Sequence, residues 1–215
     1  MASPTVGNFA VTANAAGSSL TLNIPTSPAP VAGELLVAFV AGEGAIADTM
    51  SGWETVVSGG SGNEEVKVFR REATGSDSAV ATGGGFTNRA GIVQIVSGWD
   101  GVLANVVAGT PATGTLNPSS VDMGASREHL FLAFARNSNN TITGAPTNYA
   151  NLRNTTTGVH RVAMASRAAT TQTEDPGVFA GTNSGGVAGT IGIRPSLAGA
   201  APPLSRRRFQ PLLVR

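Results

Sequence analysis

Two stretches of the chain resemble each other, and both are typical of buried β-strands. The first is Glu34-Leu-Leu-Val-Ala-Phe-Val-Ala41, and the second is Glu128-His-Leu-Phe-Leu-Ala-Phe-Ala135. Each is a continuous apolar run of strand length, and such runs favour fully buried strands. Their Ala-Phe pairs end at Phe39 and Phe134, 95 residues apart. We expect these two phenylalanines to be equivalent buried residues on paired central strands.

Further landmarks recur at nearly the same separation. The corresponding pairs are Trp53 and Tyr149, Arg71 and Arg167, and Asp77 and Glu174, which are 96 or 97 residues apart. A nearly constant separation over the whole chain indicates an internal duplication. Each half is too small to bury a good core alone, so we predict that the two halves pack into one sandwich.

The fold class follows from these patterns. Short alternating or continuous apolar segments separated by Gly- and Pro-rich turns predict strands, and no stretch has the apolar spacing of a helix. We predict an all-β protein: an antiparallel β-sandwich with jelly-roll-like connections, two repeated β-meander halves and an extended C-terminal tail. The expected segments are 1–29 (N-terminal strands), 30–110 (first half), 111–198 (second half) and 199–215 (linker and tail).

Composition excludes several classes of protein. Charged residues make up only 13% of the 215 residues, against about 25% in ordinary domains, and there is no cysteine. Disulfide frameworks, thiolate metal sites and cysteine nucleophiles are therefore excluded. Residues 1–30 contain no Lys or Arg and do not resemble a secretory signal. We expect the protein to fold in a reducing cytoplasm, without cofactors and without contact with membranes.

The C-terminal tail differs in composition from the body. Ala200-Ala-Pro-Pro203 reads as a short stiff linker. Beyond it lie a basic cluster and four large apolar residues: Arg206, Arg207, Arg208, Phe209, Leu212, Leu213 and Val214. Such an apolar group is unusual in a disordered tail, so we predict that these residues dock on a partner. Packing against the chain's own body is the alternative, and three arginines are too few to suggest nucleic-acid binding.

No catalytic or metal site emerges from the sequence. The adjacent acids Glu64-Glu65 and Glu174-Asp175 point to opposite faces of a strand, so neither pair forms an acid/base couple. We interpret all four as solvated charges beside turns. His129 and His160 lack metal-ligand spacing. We expect no catalytic residue, no metal and no enzymatic activity.

Two tryptophans lie in identical tripeptides, Ser51-Gly-Trp53 and Ser97-Gly-Trp99. An exposed indole at the end of a sandwich can stack on the apolar face of a sugar, which makes Trp53 and Trp99 candidates for glycan contact. The alternative, which we favour, is that each indole covers apolar core.

The same segments resemble a β-sandwich module that is common in structural proteins of tailed bacteriophages. The resemblance rests on Pro30–Ala38, Gly52-Trp53, Val66–Asp77, Ile92–Asp100 and the closing strand Gly189–Pro195. It covers most of the body but not the tail. Members of that family are tail, fibre or virion proteins, and the resemblance implies no catalytic residues.

The resemblance implies a virion protein that is made and assembled in the host bacterial cytoplasm. We expect a structural accessory, namely a capsid decoration, a head fibre or a tail component. Its expected partners are other virion proteins and further copies of itself as a homo-oligomer, for example a trimer. The alternative is a receptor- or carbohydrate-binding module of a tail fibre that contacts a host surface glycan.

Overall fold

A computed structural model describes residues 3–14, 20–47, 49–61, 63–83, 87–155 and 160–196. These residues form fifteen β-strands and one short 3-10 turn, Leu103–Asn105, and contain no α-helix. The predicted all-β, antiparallel class is therefore confirmed. The first seven strands are β1 (Thr5–Asn14), β2 (Leu20–Leu22), β3 (Leu35–Glu43), β4 (Glu54–Ser61), β5 (Glu64–Glu72), β6 (Val80–Thr82) and β7 (Thr87–Ser97). The other eight are β8 (Val106–Ala108), β9 (Ala112–Thr113), β10 (Val121–Asp122), β11 (His129–Ser138), β12 (Ala150–Asn154), β13 (His160–Ala169), β14 (Thr173–Glu174) and β15 (Val187–Ile193).

The strands form two large sheets with the same order. The first sheet runs β1-β7-β3-β5-β4, and the second runs β8-β15-β11-β13-β12, with β9 also paired to β15. A two-stranded ribbon accompanies each sheet, β2-β6 in the first half and β10-β14 in the second. The two sheets therefore have the same topology, with β1, β7, β3, β5 and β4 corresponding to β8, β15, β11, β13 and β12.

The strand registers explain why the repeat separation drifts from 95 to 97. Phe39 lies opposite Val68 and Ile92, whereas Phe134 lies opposite Met164 and Gly189. Corresponding residues are thus 95 apart in β3 and β11, 96 apart in β5 and β13, and 97 apart in β7 and β15. Short differences in loop length cause the drift, while the pairing within each sheet is kept.

The connections differ from those expected. In a jelly roll the chain passes between both sheets repeatedly, but here β1 to β7 contribute only to the first sheet and its ribbon. Nor is either half a simple meander, because β3 lies between β5 and β7. The change of sheet falls between Ser97 and Val106, ahead of the expected boundary at 110, because β8 already pairs with β15. Residues 1–29 supply β1 and β2 and so belong to the first half.

One apolar core is shared by both sheets. It contains alternate residues of β3, β5 and β7 from the first half and of β11, β13 and β15 from the second. Phe39 and Phe134 are both fully buried, and their rings touch with centroids 4.8 Å apart at an interplanar angle of 43°. The two phenylalanines are equivalent, as predicted. They face each other across the sandwich, however, and do not lie on strands that pair within one sheet.

The outer face of each sheet is also covered, which explains the continuous apolar runs. Every residue from Leu35 to Ala41 is fully buried. The odd-numbered residues of this run face the shared core, and the even-numbered ones pack under the ribbon β2-β6 and Trp53. Tyr149 has the same position in the second half, within the cluster that covers β11. A strand buried on both faces needs apolar residues at every position and cannot alternate.

Candidate functional site

A cluster of polar side chains lies between the two sheets at one end of the sandwich and joins them. We call Glu64, Arg136, Ser138 and His160 the bridge cluster. Arg136 is fully buried, and its two Nη atoms donate to both carboxylate oxygens of Glu64. Its Nε donates to Nδ1 of His160 at 3.1 Å, and Nη2 donates to Oγ of Ser138 at 2.5 Å. Nη1 also donates to the Gly185 carbonyl at 2.7 Å, so the guanidinium group is well satisfied.

The positions of the bridge-cluster residues follow from the internal duplication and from the alternation of side chains along each strand. Arg136 follows Leu132 and Phe134 on the inward face of β11, because side chains alternate along a strand. Glu64 begins β5 and His160 begins β13, and these are equivalent positions of the two halves. Both contact Arg136, so the two strand ends meet at the same end of the sandwich.

The hydrogen bonds define the protonation state of His160. Its Nδ1 accepts from Arg136, so the ring is neutral with its hydrogen on Nε2, which is buried and has no acceptor among the described residues. Burial and the positive charge of Arg136 lower the pKa of His160 to about 4. Burial acts to raise the pKa of Glu64, but the hydrogen bonds from Arg136 and Ser138 and the charge of Arg136 outweigh it and lower that pKa.

We expect the bridge cluster to make stability sensitive to acid. Between about pH 6.5 and pH 4 the unfolded chain protonates His160 while the folded chain does not, so the free energy of unfolding falls as pH decreases through this window. The contribution of His160 reaches up to about 3 kcal/mol. The variant His160→Gln keeps an acceptor for Arg136 and has no titratable ring. Its free energy of unfolding should therefore fall less than that of the unchanged protein as the pH decreases through this window. Urea unfolding of both proteins from pH 7 to pH 4 measures the difference, and parallel pH profiles would contradict the assignment.

The acids beside the bridge cluster are not the solvated charges that we expected. Glu64 is held by Arg136, and Glu65, which points to the opposite face, accepts a hydrogen bond from the Ile46 backbone at 2.5 Å. Glu65 also pairs with the buried Lys67 at 3.1 Å. An open depression of about 440 Å³ adjoins Glu64 and Glu65, but mainly glycine and short polar residues line it.

The second pair of acids also requires correction. Glu174 is buried and pairs with Arg167 at 2.7 Å, because β14 closes over the outer face of the second sheet. Its counterpart Asp77 pairs with Arg71 at 2.5 Å, so the repeat preserves an ion pair in each half. Asp175 is exposed, as expected.

Each of these ion pairs lies beside an aromatic ring. Arg71 stacks on Trp53 with 4.8 Å between the guanidinium carbon and the ring centroid. In the other half, burial and the charge of Glu174 raise the pKa of Tyr149. Gly52 and Asn148, which precede the two aromatic residues, both adopt positive φ, at 76° and 67°. Glycine and asparagine are the residue types that tolerate this conformation, so the same tight turn recurs.

The remaining candidates lie apart from one another. His129 is fully buried, its Nε2 hydrogen-bonds to the Ala125 carbonyl at 2.8 Å, and its ring packs edge-on against Phe131. Trp53 and Trp99 are only 7% and 5% exposed, and Trp99 donates from Nε1 to the Gly33 carbonyl at 2.8 Å. Stacking on a sugar needs an exposed ring face, so the burial of both indoles favours their alternative role of covering core.

The predicted docking residues Arg206, Arg207, Arg208, Phe209, Leu212, Leu213 and Val214, together with the linker 201–203, lie outside the described residues.

Arg136 is the functional residue that sequence reasoning missed. The sequence contained an indication of this role, because Arg136 continues an apolar strand, and a buried arginine needs a partner. The matching position of the first half is Ala41, so the repeat itself marks Arg136 as an added charge. Its partner Glu64 lies 72 residues away in sequence, and no local pattern connects the two.

Chemically, the bridge cluster is arranged to hold the sheets together. All the oxygens of Glu64 and the guanidinium group of Arg136 are used within the fold. Within the ranges that the structure describes, no three His, Asp or Glu side chains lie close enough to hold a metal ion. The same ranges contain no helix that is long and apolar enough to cross a membrane.

Comparison with known proteins finds no match among family models, curated proteins or solved structures.

Proposed function

We propose that this protein is a non-enzymatic structural component of a bacteriophage particle. In this proposal it is a surface accessory, that is, a capsid decoration, a head fibre or a tail component. It is assembled into the virion in the bacterial cytoplasm and docks through its C-terminal tail onto a capsid or tail protein. The proposal rests on the resemblance described above and on the way in which the fold uses its polar side chains.

One observation carries the proposal most directly. Glu64, Glu65 and Glu174 belong to the adjacent acids that were considered as possible acid/base pairs, and each is bonded to a basic side chain of the same fold. Glu64 and Arg136 connect the two sheets. Arg167 ties Glu174 of the second ribbon to the second sheet, whereas Glu65 and Lys67 lie on the same strand, β5, and both hydrogen-bond to the Ile46 backbone. Acids that are bonded in this way support a rigid scaffold, because their carboxylates are already engaged by bases of the same fold.

The carbohydrate-binding alternative is weakened by the same structure. It relied on Trp53 and Trp99, which are buried. A glycan-binding module built on this fold would need other residues, and binding of the purified protein to whole host cells or to an array of their surface glycans would identify that activity.

Deleting residues 204–215 tests the proposed docking. We expect the truncated protein to keep a strand-dominated circular dichroism spectrum but to be missing from particles of the phage that encodes it, purified by density-gradient sedimentation. The predicted docking residues include four large apolar side chains, Phe209, Leu212, Leu213 and Val214, whose burial supplies a gross ~6–12 kcal/mol at about 1.5–3 kcal/mol each. Ordering the backbone offsets much of this, so a docked tail also needs hydrogen bonds from its partner.

A matched control and two contrary outcomes make this test decisive. Full-length protein with Arg206, Arg207 and Arg208 changed to lysine keeps the charge and the length, and it should still sediment with the particles. Particles that retain the truncated protein would refute docking through the tail. Absence of the full-length protein from the particles would refute the proposed function itself.

A further inference from the structure

The described chain ends at one end of the sandwich. The amide of Ser196 donates to the Gly98 carbonyl at 2.9 Å, and Pro195 forms an isolated bridge with Trp99. The last described residue, Ser196, therefore lies close to Trp99, just beyond the end of β7.

Two exposed valines, Val31 and Val102, belong to the segments around Trp99. We call Val31, Gly33, Glu34, Glu72, Asp100 and Val102 the end face. Val31 belongs to the turn whose Gly33 carbonyl accepts the indole hydrogen of Trp99, and Val102 follows Trp99 by three residues. Their exposed fractions are 64% and 46%, and only three large apolar residues of the described chain are exposed to this degree. The third, Val178, lies elsewhere, beside Phe179 on the outer face of the second sheet.

The end face also carries three acids, Glu34, Glu72 and Asp100, and the guanidinium group of Arg194 lies close to Asp100 because both bond to Asn105. The carboxylate of Glu34 accepts from Oγ of Ser97 and from the Val31 amide, and that of Asp100 accepts from the Val102 amide and from Asn105. Exposed Glu72 lies beside Gly33. Each carboxylate oxygen can accept more than one hydrogen bond, so these acids remain able to bind a cation.

Residues 204–215 have the complementary chemistry. They contain four arginines, no acid and five large apolar residues. The rest of the chain contains 10 basic and 13 acidic residues, so body and tail attract each other. An apolar, acidic face matches a basic, apolar segment in both respects.

We propose that the end face of one copy binds residues 204–215 of a second copy of this chain. The inference rests on the proposed function in that it takes these residues as a docking segment. The last described residue, Ser196, lies at the same end of the sandwich, and Pro202-Pro203, which lies between it and residue 204 in sequence, favours an extended conformation and disfavours a tight reversal onto the same face. The face of a neighbouring copy is therefore the better match. Because tail and face are different surfaces, such contacts join copies head to tail into a ring or an open chain.

Disulfide trapping tests this contact. Because the chain contains no cysteine, only the introduced thiols can form a disulfide. One full-length variant carries Val102→Cys and another carries Leu212→Cys, and the two are mixed under mild oxidation. We expect a covalent heterodimer that forms at least roughly ten times faster than in the control mixture, because docking raises the local thiol concentration. The control replaces Val102→Cys with Val178→Cys, which is similarly exposed at 59%.

A further variant carries both Val102→Cys and Leu212→Cys in one chain. Three outcomes would overturn the inference: equal rates in both mixtures, no heterodimer in either mixture, or a disulfide that forms only within single chains of the double variant. The last outcome would show that the tail binds its own body. Trapping is measured on purified protein without particles, so its result is independent of the sedimentation test of the proposed function. A trapped heterodimer from a protein that is missing from particles would keep the contact and refute the virion role.

Discussion

Replacing Phe134 with alanine should lower the free energy of unfolding by about 3–5 kcal/mol, and the same change at Phe39 should have a similar effect. Both side chains are fully buried, and their rings touch at the centre of the shared core. Either change leaves a cavity between two sheets, each of which is also packed on its outer face, so the core has little room to collapse. Urea unfolding, with the slope of the transition unchanged, measures the loss.

Phe9→Ala is the matched control for this prediction. Phe9 lies on edge strand β1, is only half-buried and contacts Arg153. Its loss should cost clearly less than that of either core phenylalanine. The double variant of Phe39 and Phe134 should lose less than the two single variants together, since aromatic pairs contribute about 0.5–1.5 kcal/mol beyond burial. If Phe39→Ala melts within a degree or two of the unchanged protein, the central role of this pair is wrong.

Replacing Arg136 with methionine should lower the free energy of unfolding by about 3 kcal/mol, near the lower end for breaking a buried ion pair. Methionine has a similar length but no charge, so Glu64 and Nδ1 of His160 lose their common donor. Glu64 keeps 27% of its side chain exposed, and water at that site limits the loss.

The double variant Arg136→Met with Glu64→Leu separates the ion pair from packing. Replacing both members of a buried pair with apolar residues is often neutral, so the second change should recover most of the lost stability. Arg136→Lys provides a further comparison, because lysine keeps the charge but cannot bind Glu64 through two parallel hydrogen bonds. Unchanged stability of Arg136→Met at pH 7 would refute the role of the bridge cluster.

The contrast between β3 and the bridge cluster shows how far sequence reasoning reached. The run from Leu35 to Ala41 is apolar at every position, and this local property was enough to predict a buried strand. The repeat separation likewise predicted two halves with equivalent central strands. By contrast, Glu64 lies next to a turn in sequence, where solvated acids are common, and its bond to Arg136 crosses between the sheets.

Local pattern was thus sufficient for the strand class and for the burial of Phe39 and Phe134, because these depend on the side chains of neighbouring residues. The duplication was visible as a nearly constant separation of landmarks along the chain. Strand order, the covering of each sheet on both faces and the ion pair of Glu64 with Arg136 came from the folded chain alone. Their physical reason is the same in each case: they depend on which distant segments lie side by side, and many arrangements of the same strands would satisfy the same local periodicity.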